Sequence, residues 1–251
     1  MMLGIHFMDK TPFKEVYVHA LVRDAKGNKM SKSKGNVVDP LLLMDQYGTD
    51  TIRFSLTALA TQGRDIKLVE DRIVGYRNFI TKITNASRFI EINQCSINEN
   101  FNVKGIHKPV SLWIVNLLYE TADNVSKDIE AFRFNEAANK IYQFVWHYFC
   151  DWFIEIVKPN LAEENNYDSE EIRNVTSYVF SKILTILHPI IPFNTEYLYS
   201  KVHKYGEILA VTKWPDAPAE GINLNKDNHE IEWIIKFISE NKYKLIVNVL
   251  A

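Results

Sequence analysis

The chain has 251 residues, 47% hydrophobic and 24% charged, which suits a packed globular protein of one or two domains. A formal net charge of −2 excludes a protein that coats nucleic acid by bulk charge, but leaves room for a local basic site. Cys95 and Cys150 match no metal-ligand spacing and form no disulfide framework, the apolar runs are too short to span a bilayer, and the N-terminus lacks a signal-peptide pattern, so a cytoplasmic location is expected.

Val16 to Val22, "VYVHALV", is rich in β-branched and aromatic residues and has few charges. It predicts a strand buried on both faces, and therefore a parallel one. "RDAKGNKMSKSKGN" follows as a loop, with Gly27 and Gly35 on either side of its lysines. Asp39 and Pro40 then open a short helix as N-cap and first helical residue, and Gly48 closes it. Thr49 is placed to cap the next helix, "DTIRFSLTALA". Up to about Asp65 this is the pattern of an α/β layer. One buried strand is too little for a sheet, so the chain reads as if it begins inside a domain.

After Ile66 the pattern changes to long helices. Ile73, Tyr76, Ile80, Ile83 and Ile90 recur near helical spacing between about Val69 and Ile92. A second helix starts near Pro109 and runs through Leu112, Leu118, Val125 and Ile129. A third runs from about Asn135 to Val157, and Pro159 is expected to stop it. A fourth begins at Asp168, which can form a capping box with Glu171, and bends at Pro189 and Pro192. A short helix is expected from about Thr195 to Val202, and the start of another from Glu230 to Ile238. The fold expected is mainly α, with the end of an α/β domain over residues 1–68, a helical bundle over 69–215, and a linker with a C-terminal segment over 216–251.

The lysine–serine tract Lys29-Met30-Ser31-Lys32-Ser33 has two readings. A charge run of this kind is commonly a solvated turn. The other reading is a loop that closes on a polyphosphate, where Lys29 and Lys32 neutralise charge on a leaving pyrophosphate. Ser31 and Ser33 then add small donors, and Met30 anchors the loop by packing inward. Tyr142, Phe144, Trp146, Tyr148, Trp152 and Phe153 also read two ways, as bundle core or as a platform for unpaired bases. Their spread over all faces of one helix favours core.

"KMSKS" is the second signature of the class I aminoacyl-tRNA synthetases, which this chain resembles. "KMSKSKGNVVDPLLLMDQYGTDTIRFSLTALATQGRDIKL" is similar to the branched-chain subgroup. "EDRIVGYRNFITKITNASRF", "FRFNEAANKIYQFVWHYFCDWFIEIVKP" and "LHPIIPFNTEYLY" resemble the valyl enzymes. The resemblance runs to about Ser239 and implies the end of a Rossmann-type catalytic domain followed by an anticodon-binding bundle. It implies ATP with Mg²⁺ as substrate complex, valine and tRNA(Val) as further substrates, no protein-bound metal and no membrane partner. Lys32 and Lys29 are then catalytic, and Lys29, Met30, Ser31, Lys32 and Ser33 bind ATP. The family's other ATP signature, of HIGH type, is absent, and "GIHF" at Gly4–Phe7 does not stand in for it. The expected identity is therefore a C-terminal part, inactive alone, whose partner is the missing N-terminal half. Its divergent tail after Ser239 suggests truncation. The competing readings are a non-catalytic module for a tRNA anticodon arm, a decayed gene product, or an isoleucyl or leucyl relative. His19 approaches the nucleotide or packs within its strand, the latter favoured. His147 and His188 are bundle residues. Arg64 and Asp65 brace the loop against the bundle or pair locally. Thr84 stands where the family is expected to carry a Trp.

Overall fold

The computed structural model describes residues 1–162, 167–202 and 207–216, without the side chains of 162, 167 and 168. The helix expected over Glu230 to Ile238 and the tail lie outside these residues. A short helix, α1 (Met2–Met8), is followed by irregular chain. Only Val22–Arg23 forms a strand, β1, and it pairs in parallel with β2 (Ile66–Lys67), Val22 opposite Ile66 and Arg23 opposite Lys67. The predicted strand is thus parallel but far shorter, and it is not buried: Val16 is 68% exposed and Val18 81%. The physical reason is pairing. The N–H groups of Ile66 and Leu68 donate to the carbonyls of Leu21 and Arg23, and no strand among the described residues meets residues 16–20.

α2 (Pro40–Tyr47) begins as its sequence dictates, with Asp39 Oδ1 accepting from the Leu41 N–H at 2.9 Å. Gly48 ends it at φ 90°, a conformation open to glycine. Gly48 also occupies the N-cap of α3 (Thr49–Leu59), so Thr49 is the first helical residue and caps nothing. α4 (Glu70–Ile92) buries Ile73, Ile80, Ile83 and Ile90 as the spacing predicts, with Tyr76 half-buried against Phe54 and Tyr142. Glu70 and Asp71 in its first turn suit the positive end of the helix dipole.

α5 (Pro109–Glu130) starts at the predicted proline and sinks Trp113, Ile114, Leu118, Ala122 and Val125 into the core. α6 (Phe134–Gln143) passes into a π-helical stretch, Phe144–Phe153, and then α7 (Ile154–Ala162). The π-turn is wider, so buried positions fall five apart: Phe144 with Phe149, and Val145 with Cys150. Pro159 does not stop the helix but sits inside α7. It removes a single backbone donor, and the helix ends three residues later. The aromatic residues are core, as favoured: Phe144 and Phe153 are buried and Tyr142, Trp146 and Trp152 pack half-buried against them, whereas Tyr148 is 37% exposed.

α8 (Tyr167–Leu187) runs back through the bundle, and α9 (Pro192–Val202) begins three residues before the predicted Thr195. The capping box expected at Asp168 involves a side chain outside the described set. Glu171 has a different role. It accepts from the N–H groups of His107 at 3.3 Å and Lys108 at 3.0 Å, and so caps α5 from across the bundle.

The α5–α6 turn is held by Asp128, whose side chain is 2% exposed. Its carboxylate meets Arg133 Nη2 at 2.7 Å and Lys140 Nζ at 2.5 Å. Removing a buried carboxylate with two charged partners loses strong hydrogen bonds while both cations remain free to hydrate. Asp128→Ala is expected to lower stability by about 1–3 kcal/mol, measured by urea unfolding.

Candidate functional site

The lysine–serine tract leaves the sheet at β1. Arg23 pairs with Asp65 beside β2, and its Nη1 lies 3.5 Å from the Gly27 carbonyl. Asp65 therefore pairs within the two-stranded sheet at the root of the loop and not with the bundle. Asp24 is the inner anchor. It accepts from the Asn28 N–H at 2.7 Å and from the Asn36 amide at 2.9 Å. The Asn36 side chain then spans the tract: its oxygen accepts from the Ser31 N–H at 3.0 Å, and its amide lies 3.3 Å from the Lys29 carbonyl. Gly27 and Gly35 turn the chain at φ 84° and 63°.

The loop is therefore a fixed hairpin-like frame and not a loose basic tract. Lys32 opens a single 3₁₀ turn, Lys32–Lys34. Lys29 and Lys32 are exposed, and neither pairs with a carboxylate among the described residues. Met30 is half-buried, and the hydroxyls of Ser31 and Ser33 are 3.3 Å apart. Two exposed cations and a pair of neighbouring small hydroxyls on one short loop suit an anionic, multiply oxygenated ligand. Asp24 and Asn36 escape a reading based on the motif. The signal for them is present, since Asp and Asn four to twelve residues apart around glycines are loop-building residues.

His19 is exposed, not packed in a strand, and its Nδ1 donates to the Ala20 carbonyl at 2.8 Å. It borders an apolar cleft of about 560 Å³ between β1, α3 and the start of α6. His147 lies 3.4 Å from Asp151, and His188 Nδ1 is 2.9 Å from Thr195 Oγ1. Among the described residues no three His, Cys, Asp or Glu side chains gather as a metal site, and no helix is long and apolar enough to cross a membrane. The thiols are inert by burial, which pushes Cys95 to about 11 and Cys150 to about 12.

A family model for the anticodon-binding domain of tRNA ligase matches residues 111–249, over half of the chain. A second, for tRNA synthetases class I (I, L, M and V), matches residues 1–69. The chain belongs to the class I tRNA synthetases and carries their anticodon-binding domain. Its curated relatives include valine–tRNA ligases. That of Caulobacter vibrioides is 46% identical over 96% of this chain and 27% of its own length. That of Bradyrhizobium diazoefficiens is 49% identical over 88% of this chain and 23% of its own length. The chain thus spans about a quarter of these relatives. Among solved structures, a LeuRS of Agrobacterium radiobacter K84 in a ternary complex with tRNA shares the fold at TM-score 0.69 and 21% identity, over 86% of this chain and 25% of that one. Methionyl-tRNA synthetase of Mycobacterium tuberculosis does so at TM-score 0.58 and 19% identity, over 72% of this chain and 36% of that one.

Asn36→Ala is expected to speed hydrogen exchange at the Ser31 amide while leaving the bundle's protection unchanged, read by exchange mass spectrometry. The bonds from Asn36 and then Asn28 hold Asp24 below its ordinary value of 3.8. Their contribution to loop order is complete at neutral pH and is lost as pH falls below 3.8. Ser31 protection is expected to follow that curve.

Proposed function

We propose that this chain is part of a cytoplasmic valine–tRNA ligase, contributing the loop that handles the ATP phosphates and the bundle that holds the anticodon arm of tRNA(Val). The observation that carries this reading is the rigid frame around two lysines of a "KMSKS" loop, neither paired with a carboxylate among the described residues, in a chain whose relatives are valine–tRNA ligases. Residues 1–68 form the catalytic-domain part and residues 69–215 the bundle in this proposal.

The ligase reaction begins when the valine carboxylate attacks the α-phosphate of ATP, supplied with Mg²⁺, and pyrophosphate leaves. Negative charge then grows on the bridging oxygen and the departing phosphates. Lys32 acts there, assisted by Lys29, by placing ammonium groups where that charge develops. Ser31 and Ser33 donate hydrogen bonds to phosphate oxygens, and Met30 seats the loop. The Asn36 frame reduces the reorganisation needed when the loop closes. An interaction made mainly in the transition state changes kcat more than substrate affinity.

Lys32→Ala in the full-length ligase is expected to slow adenylate formation by about 10²–10³-fold, with ATP affinity little changed, measured by single-turnover kinetics. An unaltered rate rejects this role. The chain by itself is expected to bind a tRNA(Val) transcript and to give no ATP–pyrophosphate exchange with valine. Exchange by this chain alone overturns the division of labour proposed here.

A further inference from the structure

Arg23 of β1 has a neighbour on each side. Lys67 of β2 is its partner in the parallel pairing, and Lys29 is its partner in an isolated antiparallel bridge. Residues opposite one another on adjacent strands project from the same side of a sheet. Lys67, Arg23 and Lys29 therefore form a row of three cations across one face. Among the described residues only the middle one is compensated, because Asp65 pairs with Arg23. Lys29 and Lys67 are exposed, and neither meets a carboxylate among the described residues.

Lys67 is also held in place. Its side chain lies across Gly27, in the turn that precedes the lysine tract. A Cβ added to Gly27 would stand 3.1 Å from Lys67 Cε and 3.7 Å from its Nζ. Gly27 thus serves two ends, a left-handed backbone at φ 84° and room for this stem. The stem is packed while the ammonium group stays uncommitted. Like charges side by side in a ladder cost free energy, so the row suits a ligand with several negative charges. Lys29 and Lys67 start two strand spacings apart, about 10 Å, and their long side chains can close that gap on one polyphosphate. A single phosphate would engage one of them alone.

Building on the ATP-handling reading of the loop above, we propose that Lys67 is a further substrate-contacting residue, which binds the terminal phosphates of ATP together with Lys29. Lys67 stands on the sheet and packs over Gly27, whereas Lys32 opens the 3₁₀ turn of the loop. The sheet cation is in place before the loop closes, and it holds those phosphates alike in the ground state and the transition state. Its loss therefore raises KM for ATP more than it lowers kcat, the reverse of the pattern expected for Lys32. The same contact holds pyrophosphate as it leaves.

The test uses the full-length ligase and ATP–pyrophosphate exchange with valine. Lys67→Met keeps an unbranched stem over Gly27 and removes the charge. It is expected to raise KM for ATP and for pyrophosphate about tenfold or more, with kcat little changed. Affinity for a non-hydrolysable valyl-adenylate analogue, which lacks the terminal phosphates, is expected to stay at the wild-type value. Lys67→Arg is expected to keep most of the wild-type KM. Wild-type KM values in Lys67→Met overturn the proposal. An equal loss in Lys67→Arg, or an equal loss of the adenylate analogue, assigns the effect to the shape of the turn and overturns it too. A change confined to KM for tRNA(Val) in aminoacylation assigns the ammonium to the RNA backbone, which also overturns it. Lys32→Ala is measured alongside. If it slows adenylate formation while Lys67→Met is unaltered, this inference alone fails. If neither substitution has an effect, the ATP-handling reading of the loop fails as well.

Discussion

The grip of α3 on the bend between α8 and α9 is the contact on which the arrangement of the molecule depends. Pro189 and Pro192 interrupt the helical path and leave backbone groups without helical partners. Arg53 donates from Nε to the Ile190 carbonyl at 2.9 Å and from Nη2 to the Pro189 carbonyl at 3.1 Å. Asp50, one turn earlier, takes the Asn194 N–H. Two charged residues of the α/β part thus supply both a donor and an acceptor to the far end of the bundle. Phe54 follows them on the same helix, fully buried against Phe79 of α4. Polar capping and apolar burial therefore act at one joint, and a shift of either part would break both.

That joint gives the lysine loop a fixed origin. α3 lies against the bundle, and β2 leads directly into α4. The pairing of β1 with β2, with Arg23 and Asp65 beside it, carries that position on to the root of the loop. From there Asp24 and Asn36 shape the tract. Their bonds go chiefly to backbone groups, so the lysine side chains stay uncommitted. A loop built this way keeps its cations free for a ligand while its backbone spends little entropy on becoming ordered.

Helix placement was largely legible in the sequence, because Pro40, Pro109 and the spacing of Ile73, Ile80, Ile83 and Ile90 act locally. The errors share one cause. The stretch from Val16 to Ala20 has strand chemistry, but a strand also needs a neighbour, and sequence pattern cannot count neighbours. Thr49 has capping chemistry, but the geometry of Gly48 decides which residue is the cap. Glu171 looks like a partner for its own helix and instead caps another one 63 residues away in sequence. The π-turn from Phe144 to Phe153 hides from a search at period 3.6, since its buried residues recur near five.

By itself, the sequence determined the family, the order of the helices and the two lysines, because each is written in contiguous residues whose chemistry needs no distant partner. Only the tertiary structure decided what holds the lysine tract in shape and that Asp50 reaches the Asn194 N–H. These depend on distances between residues 12 to 144 positions apart. Such distances are set by packing and not by local preference.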